Sequence, residues 1–217
     1  MEKKNAVVLG KGELSIQIAQ WFHESPAHRL IAVVPVVPEP TFLPSLTAWA
    51  EAAGVPVVAS GHYCDLLGEG ATRIDLAMSV FYDRIIRRDF IDACGRILNL
   101  HNSPLPRYRG VRSSHWALKN GEREHGVTIH EITPGVDDGP IVSQVRYPLW
   151  PEFDEVGEVY TRALAFGWTL FQQTLPLLDQ IAAQPQDESQ ATMYRSSDNH
   201  LLGERGTMTR AEFHGRG

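Results

Sequence analysis

Three side chains of unlike chemistry stand in the stretch ILNLHNSPLPRYRGVRSSHWALKNGEREHGVTIHEITPGVDDGPI, Ile97 to Ile141: Asn99, His101 and Asp137. An amide, an imidazole and a carboxylate are what is needed to stabilise an oxyanion, move a proton and fix the charge of the proton mover. A single residue separates Asn99 from His101, so both side chains project from one face if LNLH ends a strand. Asp137 comes much later, before a glycine and a fresh apolar run, and the fold must bring it back. Each residue also has an ordinary reading. Asn99 can close a loop hydrogen bond, Asp137 and Asp138 can serve a turn of the favoured Asp-Gly type, and His101 is one of nine histidines, most of them bystanders.

The elements that must position these groups alternate. Asn5 to Gly10 is an apolar run ending in glycine, and Leu14, Ile16, Ile18, Ala19, Trp21 and Phe22 then follow at helical spacing. The turn between them, LGKGELS, has Ser15 where a dinucleotide fingerprint would have its third glycine. Its backbone at Gly10, Lys11 and Gly12 is nevertheless of the kind that receives a phosphate at a helix start, with a purely structural turn as the other reading. Arg29 to Val37 reads as a second strand ending near Pro35, Ser45 to Ala53 as a helix, and Val55 to Ala59 as a third strand. Ile74 to Tyr82 is a fourth strand. DRIIRRDFIDACG predicts a helix closed by Gly95, and RILNLH a fifth strand. The pattern predicts an α/β, Rossmann-like fold, a mainly parallel twisted sheet flanked by helices whose ligands bind beyond the carboxyl ends of the strands. Both Val80 to Tyr82 and Asn99 to His101 lie at such ends.

Beyond His101, SPLPRYRGVRSS is a loop stiffened by proline, SHWALKNG a short helix, and GVTIHEI and PIVSQVRYPL two strands around a polar turn, an antiparallel addition to the sheet. A long amphipathic helix runs from Asp154 to about Ala182 with a kink expected at Pro176. These elements make one catalytic domain, residues 1–185. The polar, glycine-bearing stretch 186–217 reads as a loosely packed tail, or an arm ordered by a partner subunit.

Composition narrows the function class. With 217 residues, 43% hydrophobic and 21% charged, the chain is an ordinary globular one, and its apolar runs are too short to span a bilayer. A formal net charge of -6 argues against a broad nucleic-acid surface, although Arg84, Arg87, Arg88, Arg107, Arg109 and Arg112 allow a local basic patch. Two cysteines, Cys64 and Cys94, without metal-ligand spacing, suggest neither disulfides nor structural zinc. The N-terminus has no secretory pattern, and a cytoplasmic protein is expected.

NLHNSPLPRYRG resembles the N-x-H-x-S-x-L-P-x-x-R-G signature of the formyltetrahydrofolate-dependent formyltransferases, and GVTIHEITPGVDDGPIV resembles that family's second block. Asn99, His101 and Asp137 fall on the family's catalytic asparagine, histidine and aspartate. Asp138 and Pro104 depart from the usual residues at their positions. The resemblance implies transfer of a formyl group from 10-formyltetrahydrofolate to a primary amine, without a metal. Asn99 would donate to the oxyanion of a tetrahedral intermediate, His101 would carry charge and deliver a proton, and Asp137 would raise the histidine's pKa. It further implies that the pterin lies along Phe81, Tyr82, Arg84, Ile85, Ile86 and Arg87, with Thr133, Pro134, Gly135 and Val136 closing over it. Gly10, Lys11, Gly12, Arg107, Tyr108 and Arg109 are the candidates for the acceptor.

For that acceptor, the wording YRGVRSSHWALKNGEREHGVTIH is most similar to the sugar-modifying members, and a nucleotide-linked amino sugar such as a 4-amino-4,6-dideoxysugar is expected, with a homodimer as the assembly. Only ~32 residues follow the long helix, few for the tRNA-holding barrel of the methionyl-tRNA enzymes by ordinary domain sizes. That type and the phosphoribosylglycinamide type remain the alternatives. A noncatalytic folate- or nucleotide-binding protein is the alternative of another class, and an NAD-dependent oxidoreductase rests only on LGKGELS.

Overall fold

The computed structural model describes residues 2–203 and falls into two compact units. Six of its strands belong to a mixed, mainly parallel sheet flanked by helices, as expected from the alternating pattern.

The first unit contains the chain up to Leu100 together with Glu131–Gly135. In it β1 (Lys4–Gly10), α1 (Gly12–Glu24), β2 (His28–Pro35), α2 (Leu46–Ala53), β3 (Ile74–Val80), α3 (Arg88–Ala93) and β4 (Cys94–His101) follow in order, β4 ending one residue beyond the unit. The strands pair in parallel as β2-β1-β3-β4. Val7, Leu9, Val34, Ala77, Ile86, Phe90 and Ile97 form one buried cluster, which is why these strands read as nearly continuous apolar runs. At the end of β1 the backbone passes so close to β3 that a Cβ on Gly10 would stand 2.0 Å from the Val80 carbonyl oxygen. Only glycine fits there.

Two expectations for this unit are overturned. Val55 to Ala59 is not a strand. It makes one isolated bridge, Val57 to Val33, because Pro56 has no N–H with which to extend a ladder. The helix expected over DRIIRRDFIDACG is confined to Arg88–Ala93. Phe81 turns the chain with a φ of 56°, and the Tyr63 hydroxyl then takes up the following backbone, donating to the Ile85 carbonyl at 3.1 Å and accepting from the Arg87 amide at 3.0 Å. Ile86 is consequently buried while Ile85 is 71% exposed, so the two isoleucines are not a helical stripe. Gly95 lies inside β4, where a Cβ would meet the Asp75 carbonyl at 2.7 Å.

Among the described residues, the second unit contains His101–His130 and Val136–Gly203. Its elements are β5 (Arg109–Gly110), α4 (Ser113–Lys119), β6 (Glu124–Glu131), β7 (Ile141–Pro148), α5 (Val156–Thr174) and β8 (Met193–Tyr194). β6 and β7 pair antiparallel as expected. α5 buries Val159, Ala163, Leu170 and Phe171, and Phe166 stacks on Tyr147 of β7 at 5.0 Å between centroids. The helix stops at Thr174 rather than kinking: Pro176 withholds a donor, and Leu175–Gln180 tightens into a 3-10 turn.

The stretch from Gln186 also differs from the loose tail its polarity suggests. β8 pairs in parallel with β5, Tyr194 stacks on Trp116 at 4.1 Å, and Ser196–Leu202 forms a further 3-10 segment. Polar residues are retained there because they bond within the chain: Arg109 donates to Gln186 and Glu188, and Thr192 accepts the Tyr108 amide through its hydroxyl. Residues 204–217, the remainder of the tail, lie outside the described residues.

Candidate active site

In the second unit the turn between β6 and β7 carries Asp137 back to His101. The Asp137 Oδ2 is 3.5 Å from His101 Nδ1 and accepts the Gly110 amide at 2.8 Å, while its Oδ1 lies 3.5 Å from His130 Nε2. The other ring nitrogen of His101, Nε2, is 2.9 Å from the Tyr108 carbonyl oxygen. All three side chains are largely buried. Burial works against ionisation of Asp137, but the His101 charge, the hydrogen bond and charge of His130 and the Gly110 amide outweigh it, holding the carboxyl well below the usual carboxylate range. The site therefore contains a fixed carboxylate between two imidazoles. Asp137 itself has a left-handed φ of 50°, uncommon for a non-glycine residue.

Asn99 belongs to the first unit, half-buried on β4 and in register with Ser79 of β3. It precedes His101 by two positions on the same strand, which places both on one face. Of the residues expected at the donor, Phe81 and Tyr82 are half-buried, Arg84, Ile85 and Arg87 exposed and Ile86 in the core. Tyr82 donates from its hydroxyl to the Gly61 carbonyl at 2.7 Å. Pro134 and Gly135 in the first unit and Val136 in the second are exposed, and Thr133 is half-buried. Glu131–Gly135 is anchored to the first unit by the Ile132 amide, which donates to the Ile97 carbonyl at 3.0 Å, and by the pair Arg96–Glu131 at 2.8 Å.

The residues expected at the acceptor are mostly bonded within the chain. Lys11 pairs with Asp83 at 2.6 Å, and Gly12 begins α1. Arg107 pairs with Glu122, and the buried Tyr108 donates its hydroxyl to the same carboxylate at 2.6 Å; burial, and after it that bond, push the phenol up to about 12. Arg109, 5% exposed, holds Gln186 and Glu188. Sequence reasoning missed His130, Gly110 and Gln186. His130 had one signal, its place at a strand end ahead of the Asp137 turn. Gly110 acts through its backbone amide, and Gln186 is distant in the chain.

His125 lies near the other end of β6, fully buried, with the Tyr108 and Tyr147 rings at 6.2 and 5.9 Å between centroids. Burial foremost, and the charges of His101 and Arg107 against a smaller opposing effect of the Asn102 backbone, push it down to about 3. As pH falls the unfolded chain takes up this proton first, near 6.5. The stability His125 contributes is thus complete above that pH, declines as pH falls toward 3, and changes no further below. Denaturant melts of wild type and His125→Phe across that window test this: the wild type should lose up to about 1.4 kcal/mol more per pH unit. Parallel losses in the two proteins would refute the assignment.

Residues 69–175 match a family model described as formyl transferase. The methionyl-tRNA formyltransferase of Fervidobacterium nodosum is 39% identical over 120 residues, 55% of this chain and 38% of that protein. The chain spans about half the length, or less, of the first curated relatives it matches. Among solved structures, WlaRD, a sugar 3N-formyl transferase crystallised in the presence of dTDP and 5-N-formyl-THF, superposes with a TM-score of 0.78 at 22% identity over 91% of this chain and 71% of that one. The N-formyltransferase of Helicobacter canadensis, in complex with folinic acid and dTDP-3-aminofucose, gives 0.76 at 23% identity over 91% and 72%. At these identities the likeness is one of fold.

Proposed function

From a chain that carries a formyl transferase domain over residues 69–175, we propose transfer of a formyl group from 10-formyltetrahydrofolate to the primary amine of a nucleotide-linked amino sugar. The observation that carries the chemistry is the buried, ionised Asp137 against His101. The donor supplies an acyl carbon on a nitrogen leaving group. Asn99 donates from its side-chain amide to the formyl oxygen as charge builds there. His101 is held at both ring nitrogens, with Nε2 at the Tyr108 carbonyl and Nδ1 facing the Asp137 carboxylate. In this reading the neutral amine attacks the formyl carbon, the bond from that carbon to the tetrahydrofolate nitrogen breaks, and the proton lost by the amine passes through His101 to the departing nitrogen. Asp137 holds the imidazole in place.

The backbone of Phe81 to Arg87 is non-helical, pinned by Tyr63 and edged by the exposed Ile85, which suits a flat heteroaromatic ring with amide edges. Thr133 to Val136 is the covering loop in this reading, and the Gly10 to Gly12 turn receives the acceptor's phosphate. For the acceptor, support comes from the sugar-modifying enzymes among the structural neighbours. A second reading, formylation of methionyl-tRNA, is favoured by the curated sequence relatives. Incubating the protein with formyl donor and, separately, amino-sugar nucleotides, glycinamide ribonucleotide and charged initiator tRNA decides between them. Consumption of an amino-sugar nucleotide alone is expected. Turnover with tRNA or glycinamide ribonucleotide and none with any sugar rules the first reading out.

A further inference from the structure

Asp137 sits in a left-handed backbone conformation that disfavours a non-glycine residue, and its turn exposes carbonyls that need donors. Both needs are met from one distant side chain. Gln186 Nε2 donates to the Asp137 carbonyl at 2.8 Å and to the Gly139 carbonyl at 2.8 Å. Its Oε1 in turn accepts from Arg109 Nε at 3.0 Å and Nη2 at 2.8 Å. The rest of the Arg109 fork is closed by Glu188, at 3.0 and 2.6 Å. The amide can satisfy this arrangement in one orientation only, since two carbonyls require the NH2 and a guanidinium requires the oxygen. Arg109 therefore orients Gln186, and Gln186 orients the turn.

We infer that Gln186 is a positioning residue of the site, a clamp that fixes the Asp137–Gly139 turn so that the Asp137 carboxylate stays on the Gly110 amide and facing His101. The kinetic part of this inference rests on the formyl-transfer reading; the geometric part does not. The clamp explains why a polar segment after the last long helix is packed rather than loose, and why a buried arginine beside the site is bonded inward instead of toward a ligand. Neither neighbour in size replaces it: Asn is one methylene short, and Glu places an acceptor against two carbonyls.

Amide hydrogen exchange by NMR on the whole protein reads the clamp without reference to activity. In Gln186→Ala the Gly110 amide, which donates to Asp137, should lose about tenfold or more in protection, the net worth of a hydrogen bond. The Arg109 and Val111 amides, which donate to the Thr192 and Tyr194 carbonyls, should keep theirs. Unchanged protection at Gly110 overturns the proposal. So does an equal loss at all three amides, because Gln186 would then only hold the segment in place. With whichever acceptor the wild type formylates, Gln186→Ala and Gln186→Glu should lower kcat about tenfold with the acceptor KM within about twofold, and should add little to the loss in an Asp137→Asn background. A wild type that transfers no formyl group sinks the functional reading, while the exchange result alone still decides the clamp.

Discussion

If the protein transfers formyl groups as proposed, Asp137→Asn is expected to lower kcat by about 10²- to 10³-fold, in the range that general acid–base and charge-fixing groups supply. The substitution conserves shape, and its remaining oxygen can still accept the Gly110 amide. What disappears is the negative charge that His101 and His130 both face. Folding is expected to survive, with a melting temperature within a few degrees of wild type by the usual scale for a small change in stability. The pH dependence follows from the same carboxyl. Because its folded value is depressed, its contribution is fully present above the ordinary value of 3.8 and is lost only as pH falls through the lower, folded value. Protonation of Asp137 therefore does not produce an acid limb in the rate at pH 5 or 6. Single-turnover rates of both proteins between pH 5 and 9 check this, and equal rates across that range refute the role given to Asp137.

Asn99→Ala is expected to reduce kcat by about 10²- to 10³-fold, the cost of removing one oxyanion-hole donor, with little change in donor affinity. Its half-buried place on β4, beside Ser79, leaves the parallel ladder untouched because the pairing is through backbone. Folate affinity measured by calorimetry separates the two views of this residue. Intact binding with lost turnover supports an oxyanion donor. Retained turnover means that Asn99 serves only its strand, and the catalytic division of labour proposed here then fails.

Much of this was legible in the chain itself. Strand β4 was readable from its apolar residues, and the two-residue spacing of Asn99 and His101 places them on one face of any strand, whatever surrounds it. The alternation of apolar runs and helical stripes gave a mainly parallel sheet, because strands buried on both faces have no polar side to alternate with. Errors arose where a side chain far away in sequence overruled local pattern. Ile85 and Ile86 look like part of a helix until the Tyr63 hydroxyl takes the backbone around them. The polarity after Gln186 looks like solvent exposure until the Arg109 guanidinium and the Tyr108 amide donate to its oxygens.

The sequence by itself singled out the amide, the imidazole and the carboxylate, and the resemblance of their two motif blocks to the formyltransferases supplied the reaction they are expected to serve. Tertiary structure alone decided how the charge is held. The Gly110 amide on the Asp137 carboxylate and the Gln186 side chain on the Asp137 carbonyl join residues far apart in the chain through backbone groups that every residue possesses alike, and the His130 imidazole adds a second partner for the carboxylate. Hydrogen bonds of that kind are chosen by geometry, and geometry exists only once the chain has folded.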